Sequence, residues 1–225
     1  MTNSKSEVKT TGLPYTHYIN RPIADRMLRF LKIFTPNQIT LAGFFIFILA
    51  LINIYYSFGT NSVFLSYFLL ALSHVLDSVD GKLARAKNMQ SKFGEWLDHS
   101  LDGIRNILIN VIFIVSLLPY IAMKGDVVVM LTFLTLVSQT SHYILSALKH
   151  HILSQRIGEL LDNEKESFKS KFLRWVASPT DFGVFIMIVL LSFDPELFLF
   201  TYIGYGVYYT IVLVYTSYIT VRINQ

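Results

Sequence analysis

The stretch ITLAGFFIFILALINIYYSF, residues 39–58, decides the fold class of this chain. None of its residues carries a charged side chain. A helix rises about 1.5 Å per residue, so a helix of this length covers the roughly 30 Å hydrocarbon core of a bilayer. An open strand would leave unpaired backbone groups in lipid, which favours a helix. The stretch therefore predicts a protein that crosses a membrane.

Further apolar segments along the chain repeat this pattern. They are residues 63–79, 93–123, 127–148, 176–193 and 197–221. The fifth of the six spans is short, and Pro179, Asp181 and Gly183 interrupt its start. Charged residues make up only 15% of the 225 residues, against about 25% in soluble domains. We therefore expect an all-α integral membrane protein with six transmembrane helices.

The positive charge of the loops sets the expected orientation. Lysine and arginine collect on the cytoplasmic side of membrane proteins. They are frequent in residues 1–32, 82–92 and 149–174, whereas the opposite loops contain only Lys124 as a cation. Both termini are therefore expected in the cytoplasm, and the net charge of +4 follows from this bias rather than from binding of nucleic acid. The chain has no cysteine, which excludes thiol catalysis and thiolate metal sites.

The regions outside the spans have their own patterns. Residues 1–17 form a polar, cytoplasmic N-terminus without the apolar core of a cleaved signal peptide. Residues 18–34 place apolar side chains at helical spacing with basic residues mostly elsewhere, which predicts an amphipathic helix in the headgroup plane. Residues 154–171 are polar and mixed in sign, and we expect a solvated cytoplasmic connection. Residues 18–225 thus form a single membrane domain.

Four aspartates stand out, because ionisable residues inside a span are costly and usually functional. They are Asp77 and Asp80, at the end of the second span, and Asp98 and Asp102, in the third. The first two are three residues apart and the last two are four apart, so each pair shares a helix face. A tight turn near residues 87–91 would bring the two faces together.

Carboxylates this close cannot all stay ionised without protons or cations. An all-oxygen set suits Mg²⁺, Mn²⁺ or Ca²⁺ rather than zinc, and the number of acidic ligands suggests two ions, an arrangement that clamps phosphoryl oxygens. Gly81, Ala84 and Gly94 remove side-chain bulk, which permits close approach of a helix or a ligand. Arg85 lies one turn beyond Gly81 and is suited to a phosphate or pyrophosphate.

The complete pattern is Asp77-x2-Asp80-Gly81-x2-Ala84-Arg85-x8-Gly94-x3-Asp98-x3-Asp102. It resembles the signature of the CDP-alcohol phosphotransferases, and the chain matches that signature at every position. The amphipathic N-terminal helix, the residues leading into the first span and the count of six spans are also typical of the family. The resemblance extends over about residues 18–221.

This resemblance implies a reaction in phospholipid biosynthesis. An alcohol attacks one phosphorus of a CDP-linked donor, CMP leaves, and a phosphodiester forms. It implies two divalent ions, Mg²⁺ or Mn²⁺, held by Asp77, Asp80, Asp98 and Asp102. Asp102 would also take the proton of the acceptor hydroxyl. Lodging the site at the cytoplasmic interface would let a water-soluble partner and a lipid partner reach it together.

The resemblance also implies contacts with the CDP group. We assign these to Asn37, Gln38, Ile39, Thr40, Gly81, Ala84, Arg85, Ser91 and Gly94. Candidates for contact with the acceptor, or for support of the metal ligands, are His99, Arg105, Lys149 and Arg156. A homodimer is common among relatives, although no residue of this chain indicates it.

The substrate is left open between two classes. Residues 94–102 look like the stretch found in choline and ethanolamine phosphotransferases, which use a CDP-amino-alcohol and diacylglycerol, but those enzymes are longer and have more spans. The short six-span build resembles prokaryotic enzymes that transfer phosphatidyl from CDP-diacylglycerol to a small polar alcohol. We favour this second class.

Two functions of other kinds compete with the enzyme. A divalent-ion pathway or transporter would distribute acidic groups through the membrane depth and show symmetric halves, whereas here the acids cluster near one face and no repeat is found. A non-catalytic scaffold would not need four intact aspartates, since buried acids without a task destabilise a helix bundle. Outside the cluster, His142 is expected at a helix interface, and Thr180-Asp181 is expected to cap a helix.

Overall fold

The computed structural model of the chain describes residues 13–122, 124–161 and 178–223, and all their side chains except those of 148–161 and 219–223. Every regular element in this part of the chain is helical, which confirms the predicted all-α class. The elements are, in order, a π-helical turn Thr16–Asn20, α1 Arg21–Leu31, α2 Pro36–Ser57, α3 Val63–Ala86, α4 Lys92–Ile121, α5 Asp126–Leu161, a 3₁₀ turn Ser178–Thr180, α6 Phe182–Ile188, a 3₁₀ segment Val189–Phe193 and α7 Pro195–Ile223.

Five helices in the described residues are long and apolar enough to cross a membrane, namely α2, α3, α4, the first part of α5 and α7. They correspond to the first four predicted spans and the sixth. The predicted fifth span contains a shorter apolar segment, Phe182–Phe193, made of α6 and the 3₁₀ segment after it. Its helix begins only at Phe182 because Asp181 is the N-cap, as expected, with its side chain accepting a hydrogen bond from Gly183 N.

Two helices continue beyond the bounds expected from hydropathy. The second span was expected to end at residue 79, but α3 runs on to Ala86. Likewise α5 continues to Leu161, into the polar stretch 154–171 that was expected to be a connection. Hydropathy marks the part of a helix suited to lipid, whereas backbone hydrogen bonding can continue into water through good helix formers such as lysine and arginine. Residues 162–171 lie outside the described residues.

Local sequence fixes the start of α2 and the turn between α3 and α4. Thr35 and Gln38 form a reciprocal capping box around Pro36 at the first helical position. After α3, Asn88 adopts a positive φ of 53°, a conformation that asparagine tolerates better than most residues. Ser91 then caps α4 by accepting a hydrogen bond of 3.0 Å from Gly94 N. The tight turn predicted near 87–91 is therefore present, and it sets α3 and α4 antiparallel.

The main core has an aromatic centre. The ring of Phe113 on α4 meets the rings of Phe185, Phe198 and Tyr202 at centroid distances of 5.8, 4.9 and 5.8 Å, with interplanar angles typical of edge contacts. These rings join α4 to α6 and α7. A second cluster joins α1 to α3 through Ala24, with Met27, Leu28 and Leu31 packed beside it.

Buried polar contacts connect α4, α5 and α7. Asn110 donates to Gln139 Oε1 at 3.1 Å and accepts from the Tyr202 hydroxyl at 2.6 Å. Where α5 meets α7, a Cβ added at Gly206 would lie 2.1 Å from Thr135 Oγ1 and 2.9 Å from Thr135 Cα. The two backbones are therefore as close as a glycine allows. Both features, interhelical hydrogen bonds such as those of Asn110 and close backbone contact at a glycine, are common ways to join helices in lipid.

Candidate active site

The four predicted aspartates lie on α3 and α4, close to the turn between these helices. Asp80 lies six residues before the end of α3 at Ala86, and Asp98 lies six residues after the start of α4 at Lys92. At 1.5 Å per residue this is about 9 Å from each helix end. Asp77 and Asp102 are roughly one turn deeper. The set therefore lies near one end of the helix bundle.

The structure brings these carboxylates together in two overlapping groups. One ligand atom each from Asp77, Asp80 and Asp98 lies within 4.8 Å of the others, and the same holds for Asp98, His99 and Asp102. Asp98 belongs to both groups. The predicted convergence of the two helix faces is therefore what the fold produces, and His99 joins the aspartates as a further candidate ligand.

The neighbours of the cluster offset only part of its charge. Arg105, which is 4% exposed, donates to Asp77 Oδ1 and, at 2.9 Å, to Asp102 Oδ1. Thr40 Oγ1 donates to Asp80 Oδ2 at 2.5 Å. Oδ1 of Asp98 is buried and has no hydrogen-bond partner among the described residues.

Within the described part of the chain, one guanidinium is paired with this set of four carboxylates, which leaves an excess of negative charge that a divalent cation would neutralise. The donors are mostly carboxylate oxygens, which suit a hard cation such as Mg²⁺ or Mn²⁺. The buried Asp98 oxygen without a partner is the kind of atom that a bound cation would satisfy. The residues present therefore fit a divalent metal.

A cavity of about 550 Å³ opens beside the α3–α4 turn, and we call it the turn cavity. Asp80 and Asp98 of the aspartate cluster form part of its wall. Seven of the nine residues predicted to contact CDP also line it: Asn37, Thr40, Gly81, Ala84, Arg85, Ser91 and Gly94. A Cβ at Gly94 would lie 3.2 Å from Ser91 Oγ and 3.4 Å from Asn37 Oδ1, so a side chain there would narrow the cavity.

The other two predicted CDP contacts do not line the turn cavity. Gln38 is exposed, and its side chain accepts from Thr35 N at 2.9 Å to complete the capping box of α2. Ile39 is 4% exposed and packs in the cluster with Val75, Leu76 and Val79 of α3. Both residues were assigned because they are part of the stretch that leads into the first span. In the fold they start and anchor α2, and Asn37 and Thr40 occupy the cavity side.

A second cavity, of about 380 Å³, lies on the other side of the aspartates, and we call it the inner cavity. Asp77, Asp102 and Arg105 line it from α3 and α4. The remaining walls come from the N-terminal segment, α3, α4, α5, the 3₁₀ turn Ser178–Thr180, α6 and α7: Leu13, Ser73, His74, Asn106, Gln139, His142, Tyr143, Ser146, Thr180, Phe182, Phe185 and Tyr209. The aspartate cluster thus separates two cavities of different composition.

The predicted acceptor residues have different positions. Arg105 lines the inner cavity, as an acceptor contact would require. His99 is exposed beside the aspartate cluster, and its carbonyl accepts a hydrogen bond of 3.0 Å from the Tyr143 hydroxyl. Lys149 and Arg156 belong to the part of α5 whose side chains are outside the described residues.

Sequence reasoning missed most of the polar wall of the inner cavity. His74 is three residues before Asp77 and Asn106 is four residues after Asp102, so both extend the aspartate faces by one turn. On α5 the polar residues Gln139, His142, Tyr143 and Ser146 recur at the i, i+3, i+4, i+7 spacing of one helix face. A polar stripe within a span was the signal that could have found this wall, and His142 belongs to it as well as contacting Tyr209.

The fold and the site together define a class: a multi-pass integral membrane protein in which two helices hold a carboxylate centre suited to divalent metal. Within this class, the chain belongs to the CDP-alcohol phosphatidyltransferase family, which it matches over residues 33–222.

Similar curated proteins come from archaea, bacteria and plants. The chain is 40% identical over 103 residues to an archaetidylinositol phosphate synthase of Pyrococcus horikoshii, covering 46% of this chain and 48% of that protein. It is 33% identical over 100 residues to a bifunctional IPC transferase and DIPP synthase of Aquifex aeolicus, covering 44% of this chain and 22% of that protein. It is 36% identical over 107 residues to choline/ethanolaminephosphotransferase 2 of Arabidopsis thaliana, covering 43% of this chain and 28% of that protein. The matches therefore cover less than half of each of these relatives.

Proposed function

We propose that the protein transfers a substituted phosphate group from a CDP-linked donor to an alcohol and releases CMP, in a metal-dependent reaction. The observation that carries this proposal is the aspartate cluster between two cavities, one of them lined by residues of the CDP signature. A two-substrate transfer needs both substrates to meet at one charged centre. The family membership supports the same reaction.

The CDP group of the donor binds in the turn cavity. Arg85 offers a guanidinium to the pyrophosphate, and Gly81 and Gly94 leave room for it. Asn37 and Ser91 supply polar side chains on the opposite wall.

Asp77, Asp80, Asp98 and Asp102 would hold two divalent ions, Mg²⁺ or Mn²⁺, which would supply positive charge to neutralise the phosphoryl oxygens. Thr40 and Arg105 orient three of these carboxylates through the hydrogen bonds described above.

The acceptor alcohol binds in the inner cavity, where Asp102 faces it. Asp102 takes the proton of the acceptor hydroxyl, the acceptor oxygen forms the new bond to phosphorus, and the bond from that phosphorus to CMP breaks. Arg105 holds Asp102 in place by donating to its Oδ1. General-base catalysis of this kind contributes roughly 10²–10⁴-fold to a rate.

The favoured substrates are CDP-diacylglycerol and a small polar alcohol. Similarity to a protein named for synthesis of archaetidylinositol phosphate supports this class. The alternative is a CDP-amino-alcohol with diacylglycerol, which similarity to a choline/ethanolaminephosphotransferase supports. Both reactions release CMP, so the substrates have to be separated by experiment.

The chain crosses the membrane six times, with both termini and the site at the cytoplasmic face. Residues 178–193 support the extra crossing, because Asp181 at one end bonds Thr16 while Ser192 O at the other accepts from Gly59 N in the α2–α3 connection. The 3₁₀ parts rise about 2.0 Å per residue, so this segment extends roughly 25–30 Å, which is close to the bilayer core.

The N-terminal amphipathic helix lies in the headgroup plane, and one membrane domain runs from residue 18. Helix α1 supports this arrangement. Its Met27, Leu28 and Leu31 pack toward α3, while Ile23 and Phe30 are exposed, as lipid contacts would be. A second copy of the chain as partner stays a prediction from the resemblance.

The test is release of CMP by purified protein in detergent or lipid. Donors are CDP-diacylglycerol, CDP-choline and CDP-ethanolamine, each offered with inositol, inositol phosphate, glycerol phosphate and diacylglycerol. We expect turnover with Mg²⁺ or Mn²⁺, loss of turnover in a chelator, and a product identified by mass spectrometry that names the donor class. Absence of CMP release across the whole panel would refute the proposed function.

A further inference from the structure

Residues 13–20 fold back onto the helix bundle beside the inner cavity. The backbone N–H of Thr16 donates to Asp181 Oδ2 at 2.8 Å, and the Thr16 hydroxyl donates to Asp181 Oδ1 at 2.9 Å. Asp181 is only 3% exposed, and it also accepts from Gly183 N at 3.0 Å. A buried carboxylate needs such donors, because burial without them is costly. One side chain therefore holds both the N-terminal segment and the start of α6.

The ring of Tyr15 lies directly on Gly183. A Cβ at position 183 would lie 1.8 Å from Cδ1 and 2.0 Å from Cε1 of Tyr15, a space that only glycine leaves open. Burial and the neighbouring Tyr67 raise the pKa of Tyr15 to about 12, so the phenol is neutral when it packs there. The N-terminal segment thus packs closely against α6 through the apolar ring of Tyr15.

Tyr15 is also near His74. The imidazole of His74 is 6.3 Å from the ring of Tyr15 and 5.4 Å from the ring of Phe182, measured between centroids. Its Nε2 is buried and has no hydrogen-bond partner. His74 and Phe182 line the inner cavity, and so does Leu13, the first residue of the segment 13–20.

The other end of the segment is held as well. Asn20 is fully buried, and its side-chain amide donates to Ser78 Oγ at 2.8 Å and to the His74 carbonyl at 3.3 Å. Ser78 is the neighbour of Asp77. Residues 13–20 therefore connect α6 with the part of α3 that carries the aspartates, and Leu13 at their start lines the inner cavity.

We infer that residues 13–16, held by Asp181, complete one wall of the inner cavity through Leu13 and through Tyr15 packed near His74, and that this wall positions the acceptor alcohol against Asp102. This inference rests on the proposed function. Asp181 acts through Thr16, Tyr15 and His74 and is a positioning residue. Because the turn cavity lies on the other side of the aspartates, loss of the wall should affect the acceptor and spare the donor.

The first test is Asp181→Asn, measured with the donor and acceptor pair that the wild-type protein turns over fastest. The amide oxygen of asparagine can still cap α6, but its NH₂ group faces the Thr16 N–H, so a charge-assisted bond is replaced by two opposed donors. We expect the KM for the acceptor to rise about tenfold. The KM for the donor and the dependence on Mg²⁺ should stay within about twofold of wild type.

The matched control is Asp194→Asn. Asp194 caps the start of α7 by accepting from Glu196 N and Leu197 N at 3.0 and 3.2 Å, and it lies at the opposite end of the segment that starts at Asp181. The same chemical change there should leave both KM values unchanged. If the loss of a helix cap alone raised the acceptor KM, then Asp181→Asn and Asp194→Asn would raise it equally.

The second variant, Gly183→Ala, displaces Tyr15 without changing any charge, and Gly204→Ala is its control because a Cβ at 204 meets nothing within 4 Å. We expect the same selective rise in the acceptor KM for Gly183→Ala alone. An unchanged acceptor KM in both Asp181→Asn and Gly183→Ala, or an equal rise for both substrates, overturns the inference while the proposed function stands. A wild-type protein that releases no CMP overturns both.

Discussion

Arg105 is the buried cation that contacts two of the four aspartates. Its guanidinium bonds Asp77 and Asp102, while Asp80 bonds Thr40 and one oxygen of Asp98 has no partner. Burying charge is costly unless it is paired, so this arrangement is only partly compensated by the protein itself. At the scale of single residues, the aspartate cluster therefore has more negative charge than the described side chains around it neutralise.

Replacing Arg105 should make the stability of the protein depend on metal. Removing one partner of a buried ion pair typically costs about 3–5 kcal/mol, because the other charge stays buried. We expect Arg105→Met to lower the Tm strongly in a chelator and less in Mg²⁺, since bound cations would replace part of the lost charge. Circular dichroism recorded during heating measures the Tm in the chelator and the Tm in Mg²⁺. The control is Arg85→Met, at an exposed arginine of the turn cavity, and an equal Tm loss with and without Mg²⁺ would contradict the idea.

The aspartates should differ in what they contribute. Asp102 lines the inner cavity and Asp80 the turn cavity. We expect Asp102→Asn to lower CMP release at least about 100-fold while donor binding stays near wild type, because the substitution removes the base and leaves the turn cavity intact. Asp80→Asn should lower turnover and also weaken donor binding.

Turnover and equilibrium binding of the donor, measured side by side, test this difference between the aspartates. Asp126→Asn, at an exposed position in the first turn of α5, is the control and should behave as wild type. Near-normal turnover in Asp102→Asn or Asp80→Asn would remove the assigned roles.

At the scale of elements, the site depends on α3 and α4 meeting through a short turn, and on α5 and α7 closing the far side. The turn could be predicted because the aspartates, the glycines and the residues 87–91 are close in sequence. The wall from α5 could not, because its polar stripe is far along the chain from the aspartates and its partners are set by packing. Thr16 and Asp181 are 165 residues apart, and nothing local in either segment indicates that they meet.

The contact of α5 with α7 predicts a large effect from one methyl group. A Cβ at Gly206 would lie 2.9 Å from the backbone Cα of Thr135, so the helices would have to separate. Overpacking of this kind typically costs about 1–3 kcal/mol. We expect Gly206→Ala to lower the Tm by several degrees and to lower turnover, because Gln139 and Tyr209 line the inner cavity from these two helices.

Gly204→Ala is the matched control for this contact, since it makes the same change two residues away in open space. It should leave the Tm and the turnover at their wild-type values. A Tm for Gly206→Ala equal to that of Gly204→Ala would show that the two helices are not closely packed at this point.

At the scale of the whole molecule, hydropathy and charge predicted the class of fold. The number of membrane spans, however, was predicted from the apolar composition of each segment alone. Six spans were predicted, whereas the described residues contain five helices that are long and apolar enough to cross a membrane. The predicted fifth span contains only the shorter apolar segment Phe182–Phe193. Its ends are fixed instead by tertiary contacts, at Thr16 on one side and at Gly59 on the other. A segment of mixed α and 3₁₀ geometry can reach further than its length in residues suggests, which a sequence pattern alone does not reveal.

The number of crossings predicts which side of the membrane each terminus faces. Six crossings put both termini on one side, whereas five put them on opposite sides. The chain has no cysteine, so Lys5→Cys, Asn61→Cys and Asn224→Cys each introduce a single thiol, with Asn61 in the α2–α3 connection as the reference for the other side. In sealed vesicles of known orientation, a membrane-impermeant maleimide should label positions 5 and 224 from the same side and position 61 from the opposite one. Labelling of 224 together with 61 would reduce the count to five and would place α6 as a segment that does not cross.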